Sequence, residues 1–164
     1  KGYNLQVLGC EFQVSRFMIY LILHNVRSAY NVGAIFRTAD AVGVNKIYIG
    51  GYTPTPENPK VAKTSLGAEN SVKWEKYFNT WKLVEELKSN KIKVVALEQS
   101  KESRDYKKFK PKFPLAVVVG NEVKGISENI LKRVDSTWHI PMRGKKESLN
   151  VMVATGVFLY KILE

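Results

Sequence analysis

The polar residues that could do chemistry in this 164-residue chain follow four short apolar runs. Asn25, Arg27 and Asn31 come with and after IYLILHNV, and Glu98 and Gln99 after KVVAL. Gly120, Asn121 and Glu122 follow LAVVV. Pro141, Met142 and Gly144, then Ser148 and Asn150, follow TWHI. If these runs are parallel strands, their carboxyl ends are where a ligand binds. Several chemistries do not fit. There is no GxxxxGK[ST] phosphate loop and no GxGxxG fingerprint. His24 and His139 belong to no Cys or His cluster with metal-ligand spacing, so no metal is expected. Ser148 could join a histidine and an acid in a nucleophilic triad, but it stands on no GxSxG elbow.

The elements that must position these residues alternate. IYLILHNV (19–26) reads as a buried strand. Val32, Ile35, Phe36, Ala39 and Val42 repeat at helical spacing, and Gly43 suits the end of that helix. A strand over 46–49 completes a βαβ unit. Residues 52–70, with Pro54, Pro56 and Pro59, read as one long connection of the kind that is often functional. Residues 72–77 alternate like an edge strand, and 80–89 form an amphipathic helix. Residues 93–97 and 115–119 are buried strands, and 127–134 a short helix. The last stretch has a strand (137–140) stopped by Pro141, a basic elbow (143–147), and a helix over 149–163 with Ser148 as its N-cap. That helix is apolar nearly all round, so it is expected to pack into the core and against a partner subunit. It is too short to cross a bilayer. The fold class is α/β with a mainly parallel sheet flanked by helices. Residues 1–18 read as an N-terminal arm or the remnant of an upstream segment, a reading that the opening Lys1 favours.

Net charge is +11, from 26 basic and 15 acidic residues, which favours a polyanionic partner such as nucleic acid. One cysteine, Cys10, rules out an internal disulfide and suits a reducing compartment. A cytoplasmic protein without membrane attachment is expected.

Three blocks in order, NVGAIFRTADAVGV, VVVGNEVKGIS and IPMRGKKESLNVMVA, resemble motifs one, two and three of the SpoU (TrmH-like) RNA 2′-O-ribose methyltransferases. These are a class of the SPOUT, or α/β-knot, superfamily. TSLGAENSVKWE resembles the family's LGAE-type segment. The resemblance covers residues 19–164 and implies a single SPOUT methyltransferase domain there. It implies a C-terminal deep trefoil knot threaded by 137–163. It also implies a homodimer, with the last helix and the 31–42 helix at the interface. The knot is not read from sequence physics, whereas the dimer agrees with the all-round apolar character of the last helix.

The resemblance further implies S-adenosylmethionine (SAM) as donor, no metal, and a ribose 2′-hydroxyl of tRNA or rRNA as acceptor. Leu97, Gly120, Ile140, Met142, Leu149 and Ala154 would bind the cofactor. Gly120 would let it approach the backbone, so Gly120→Val should block binding in a folded protein. Ordinary core packing explains Leu97 and Ala154 equally well. Arg37, Asn31, Glu122, Ser148 and Asn150 match the catalytic motif positions. Arg37 lies four residues after Gly33, whose small size would leave room for a phosphate or ribose. Arginine is normally protonated, which makes a direct base role awkward; the resemblance implies a phosphate-bound Arg37 that polarises or accepts from the hydroxyl. Arg27, Lys63, Lys107, Lys108, Lys110 and Arg143 are candidate RNA contacts, although charge runs are commonly just solvated faces. The competing readings are a knotted RNA-binding protein without catalysis and a SPOUT base methyltransferase.

Overall fold

Every residue of the strand Leu115–Val119 is buried, because it runs through the middle of a sheet covered on both faces. The computed structural model describes residues 17–164. The 1–18 arm therefore lies almost wholly outside the described residues. In chain order the elements are β1 (Ile19–His24), α1 (Ala29–Val42), β2 (Lys46–Gly50), α2 (Pro59–Ser65), α3 (Ala68–Ser71), β3 (Lys73–Tyr77) and α4 (Thr80–Ser89). Then come β4 (Lys93–Leu97), β5 (Arg104–Asp105), β6 (Leu115–Val119), α5 (Glu128–Leu131), β7 (Ser136–His139) and α6 (Val151–Leu163). The strands form one sheet in the order β3-β2-β1-β6-β4-β7-β5. Each pairing between them is parallel. All their carboxyl ends therefore emerge on one edge.

The core has two layers. On one face α1 and α6 cover the inward residues of β1, β2 and β6, with Phe36, Phe158 and Leu159 fully buried. On the other, Leu83, Val84 and Leu87 of α4 and Ile130 of α5 cover Ile22, Val94 and Val118. Helix α1 begins on Ser28, whose Oγ accepts the Asn31 N–H at 3.3 Å. It ends on Gly43 at φ 79°, a left-handed cap that suits glycine.

Several sequence expectations change. The 52–70 connection contains α2 and α3. The prolines misled: Pro59 sits at the start of α2, where its missing N–H does no harm, and Asn58 caps it by accepting from Lys60 N. The last helix starts two residues later than expected. Asn150, not Ser148, is its N-cap, with Oδ1 accepting the Met152 N–H at 2.9 Å. Leu149 thus belongs to the preceding loop. The basic 101–112 tract is more than a solvated face. It contributes β5 beside β7, and Phe109 is buried 4.9 Å from the Trp138 ring and 5.1 Å from that of Phe158.

Gly33 also departs from expectation. It faces α2, not an open space beside Arg37. A Cβ there would fall on the Thr64 hydroxyl and 2.5 Å from the Val61 carbonyl. Gly33 is what lets α1 and α2 touch. Gly33→Ala is expected to lower stability by about 1–3 kcal/mol, the usual range for overpacking. Chemical denaturation measures it; an unchanged midpoint would mean that α2 shifts freely.

Candidate active site

At the carboxyl ends of β4, β6 and β7 the chain forms an open cleft. Leu97, Gly120, Ile140, Met142, Leu149 and Ala154 all line it, together with Glu122 and Ser148. Residues from motif blocks two and three and from β4 thus meet in one place. Asn31, Asn150 and Arg37 are not on its walls.

The wall after β6 is a tight turn. Asn121 and Gly125 exchange backbone hydrogen bonds of 3.2 and 2.9 Å, and Gly125 takes φ 65°. The Asn121 side chain fills the turn, its Oδ1 accepting from Val123 N and Lys124 N at 2.9 and 2.8 Å. Glu98 braces it from β4 by accepting the Ile126 N–H at 2.7 Å. Glu98, a strand-end candidate in the sequence, and His139 both line the cleft, although neither was given a binding or catalytic role. Their only sequence signal was a place at or near a strand end. His139 Nδ1 lies 2.9 Å from the Ser103 hydroxyl, tying the loop after β4 to β7.

Gly120 is confined by its own chain. A Cβ would stand 2.6 Å from the Gly125 carbonyl carbon and 2.7 Å from Ile126 Cγ1. Gly120→Val would therefore break the turn first, and it cannot isolate an effect on cofactor approach.

Glu122 points away from the cleft's apolar floor to the start of α1. Its Oε2 accepts from Arg27 N at 2.9 Å; its Oε1 accepts from Ser28 N at 3.0 Å and Asn31 Nδ2 at 2.9 Å. Partial burial disfavours the charge, but those donors outweigh it and hold the carboxyl below its ordinary value. Asn31 Oδ1 in turn accepts from Asn150 Nδ2 at 3.2 Å. The chain Glu122–Asn31–Asn150 thus joins the β6 turn, α1 and α6.

Arg37 is exposed two turns further along α1, roughly 9 Å beyond Asn31 along the axis. It makes no hydrogen bond or ion pair among the described residues. Arg27, Lys63, Lys107, Lys108, Lys110 and Arg143 are all exposed. They are dispersed: Lys63 is on α2, and Lys107 borders a shallow groove with Val157, Tyr160 and Lys161 of α6. Among the described residues no group of three or more His, Cys, Asp or Glu could hold a metal. No helix among them is long and apolar enough to cross a membrane.

The profile of the SpoU rRNA Methylase family matches residues 18–160. The chain belongs to that family. The tRNA (guanosine(18)-2′-O)-methyltransferase of Aquifex aeolicus is 39% identical over 141 residues, 84% of this chain and 64% of that protein. The AdoMet-bound rRNA methyltransferase of Sinorhizobium meliloti superposes with a TM-score of 0.83 at 28% identity, over 88% of this chain and 55% of that one. A structure addressing 2-OH methylation of C/U34 on tRNA gives 0.79 at 25% identity, over 89% and 94%. The chain spans about three fifths of the length of the curated relatives it matches.

Glu122→Gln keeps the size but replaces one acceptor oxygen with an amide. It is expected to lower stability at neutral pH by about 1 kcal/mol, after allowance for solvent screening. A depressed folded-state pKa adds stability above the unfolded pKa and loses it as pH falls through the folded value. Wild type and variant should therefore converge in melting temperature on acidification through and below the usual carboxylate range. A gap that stays constant across the pH series would assign the loss to shape rather than charge.

Proposed function

We propose that this SpoU-family chain transfers a methyl group from SAM to a ribose 2′-hydroxyl of tRNA or rRNA. One observation carries the proposal: residues of motifs two and three, far apart in sequence, wall a single cleft with β4. The 2′-O activity of the Aquifex aeolicus relative and the AdoMet in the Sinorhizobium meliloti structure support the same reading.

The cleft suits the cofactor. Leu97, Ile140, Met142, Leu149 and Ala154 offer apolar surface for an adenine, and Glu122 and Ser148 offer polar groups at the rim. When bound, SAM supplies a methyl on a sulfonium, a good leaving group that needs no metal. The protein's task is to position acceptor and donor and to ease loss of the hydroxyl proton. Asn31, Glu122 and Asn150 act as positioning residues, since their side chains hold α1 and α6 to the β6 turn. Arg37, whose guanidinium has no partner among the described residues, holds a target phosphate and polarises the ribose hydroxyl. Arg27, Lys63, Lys107, Lys108, Lys110 and Arg143 add cations for the RNA backbone.

The reading includes a homodimer. Met152, Val153, Val157, Tyr160 and Leu163 are exposed apolar or aromatic residues of α6, a stripe that the described residues of one chain leave uncovered. It also includes the trefoil threading of 137–163 and a cytoplasmic location, where tRNA and rRNA are met.

Calorimetry with a chelator present is expected to show SAM binding. Incubation with total RNA and methyl-labelled SAM should place the label on a ribose after nucleoside digestion. Label found only on a base would overturn the acceptor assignment, and no transfer at all would leave an RNA-binding protein. Arg37→Lys and Arg37→Ala should keep SAM affinity but slow single-turnover transfer at saturating RNA by at least ~100-fold. A normal rate would remove Arg37 from the chemistry. Sedimentation should give twice the chain mass, and Val157→Arg should shift it toward monomer. A wild-type monomer with full activity would refute the α6 interface.

A further inference from the structure

Because every strand pairing is parallel, the cleft is only half of the carboxyl edge of the sheet. The other half carries the ends of β1, β2 and β3, and its residues have no place in the cofactor site. Two aromatic side chains stand there in water. Tyr52, two residues past β2, is 57% exposed, and Phe78, one past β3, is 83% exposed. These strand ends adjoin, since Gly50 pairs with Tyr77 and Gly51 N donates to the Tyr77 carbonyl at 3.2 Å.

Tyr52 is exposed yet tightly held. Its backbone N–H donates to Asn25 Oδ1 at 3.2 Å. The next residue, Thr53, is buried; its hydroxyl donates to the Leu23 carbonyl and accepts from Val26 N, both at 3.0 Å. At the far end of the ring, the Tyr52 hydroxyl accepts from Asn121 Nδ2 at 3.0 Å. Asn121 is itself buried, lines the cleft, and gives its other amide proton to the Asn25 carbonyl. The ring is fixed at backbone and hydroxyl while its surface stays open. Lys76 links the two aromatics: its ammonium donates to the Thr53 carbonyl at 2.7 Å and stands 5.8 Å from the Phe78 ring centre. Arg27 is exposed at the end of β1, the next strand over. The nearby Glu122 carboxylate is already engaged by the Arg27 and Ser28 N–H groups just before α1.

We propose that Tyr52 and Phe78 form a stacking platform for unpaired bases of the RNA substrate, with Arg27 and Lys76 holding the intervening phosphates. The proposal rests on the RNA methyltransferase reading above and adds to it the single-stranded form of the RNA beside the target. Stacking on aromatic faces beside cations is how proteins hold unpaired nucleotides. A protein partner fits less well. Protein interfaces favour contiguous apolar cores poor in lysine, as on α6, whereas here separate rings flank a lysine.

The test uses the full chain and a short oligouridine with one central 2-aminopurine, compared with a paired hairpin of similar length. Tyr52→Ala and Phe78→Ala are each expected to weaken oligouridine binding about tenfold, the scale of one lost base stack, and to reduce quenching of the 2-aminopurine. Hairpin binding should change much less, and Phe78→Ala should bind SAM as wild type does. Tyr52→Phe, which keeps the ring and loses the hydroxyl, should bind oligouridine within about twofold of wild type. If Tyr52→Phe loses as much as Tyr52→Ala, the hydroxyl's grip on Asn121 is what matters, and the platform is wrong. Alanine variants that bind both probes normally, or that change only the sedimenting mass, would also overturn it. Wild-type transfer to total RNA separates the two levels. Transfer with unaffected alanine variants rejects the platform alone; a wild type that neither binds nor methylates RNA rejects both.

Discussion

One carboxylate fixes the geometry on which the cleft depends. Helix α1 has no acidic residue in its first turn. The negative group favoured at a helix N-terminus comes instead from Glu122, whose two oxygens take three donors from Arg27, Ser28 and Asn31 across more than ninety residues of chain. Each of those donors would otherwise need water or another acceptor. By meeting them, Glu122 sets where α1 begins relative to the turn after β6. Asn31 then passes the constraint to Asn150, which also caps α6. The three motif blocks are therefore coupled through a few polar contacts at their tips, while apolar packing sets the bodies of the same elements.

Apolar contacts do the corresponding work beside β5, the strand at one side of the sheet. Phe109 packs against Trp138 of β7 and Phe158 of α6, so one ring anchors a lysine-rich segment to the core. Lys107, Lys108 and Lys110 stay in solvent because Tyr106 and Phe109, three residues apart, are the ones committed inward. The segment keeps its charges on a fixed backbone, unlike a free basic tail.

Most of the sheet was legible in the sequence because its strands are short apolar runs bounded by turn residues, as in IYLILH, KVVAL and LAVVV. The cleft was legible because its residues fall at the ends of those runs within recognisable blocks. Three kinds of information were not. Proline at a helix start looks the same as proline in a loop, so α2 was hidden. A glycine's missing side chain does not say what uses the space: at Gly33 it is α2, and at Gly120 it is the chain's own turn. The direction of a side chain is set by tertiary neighbours, which is why Arg37 sits apart from the cleft and why the exposure of Tyr52 and Phe78 gave no signal. Ser148 and Asn150 are both good capping residues, and the choice between them fell to Asn150, which could also reach Asn31.

The strand order carries a consequence for the growing polypeptide. Strand β6 lies between β1 and β4, so the β1–β2–β3 and β4–β7–β5 halves of the sheet join only through a strand made after most of both. The ribosome can release a locally paired first half early, since β1, α1, β2 and β3 follow one another in space as in synthesis. Until β6 is added, the edge of β1 has unpaired backbone groups open to wrong partners. The cleft comes later still, because Leu149 and Ala154 follow β7 in the chain. Binding competence is therefore acquired only once Ala154 has emerged, and a chain interrupted before β6 would have a well-ordered half-sheet with no pocket.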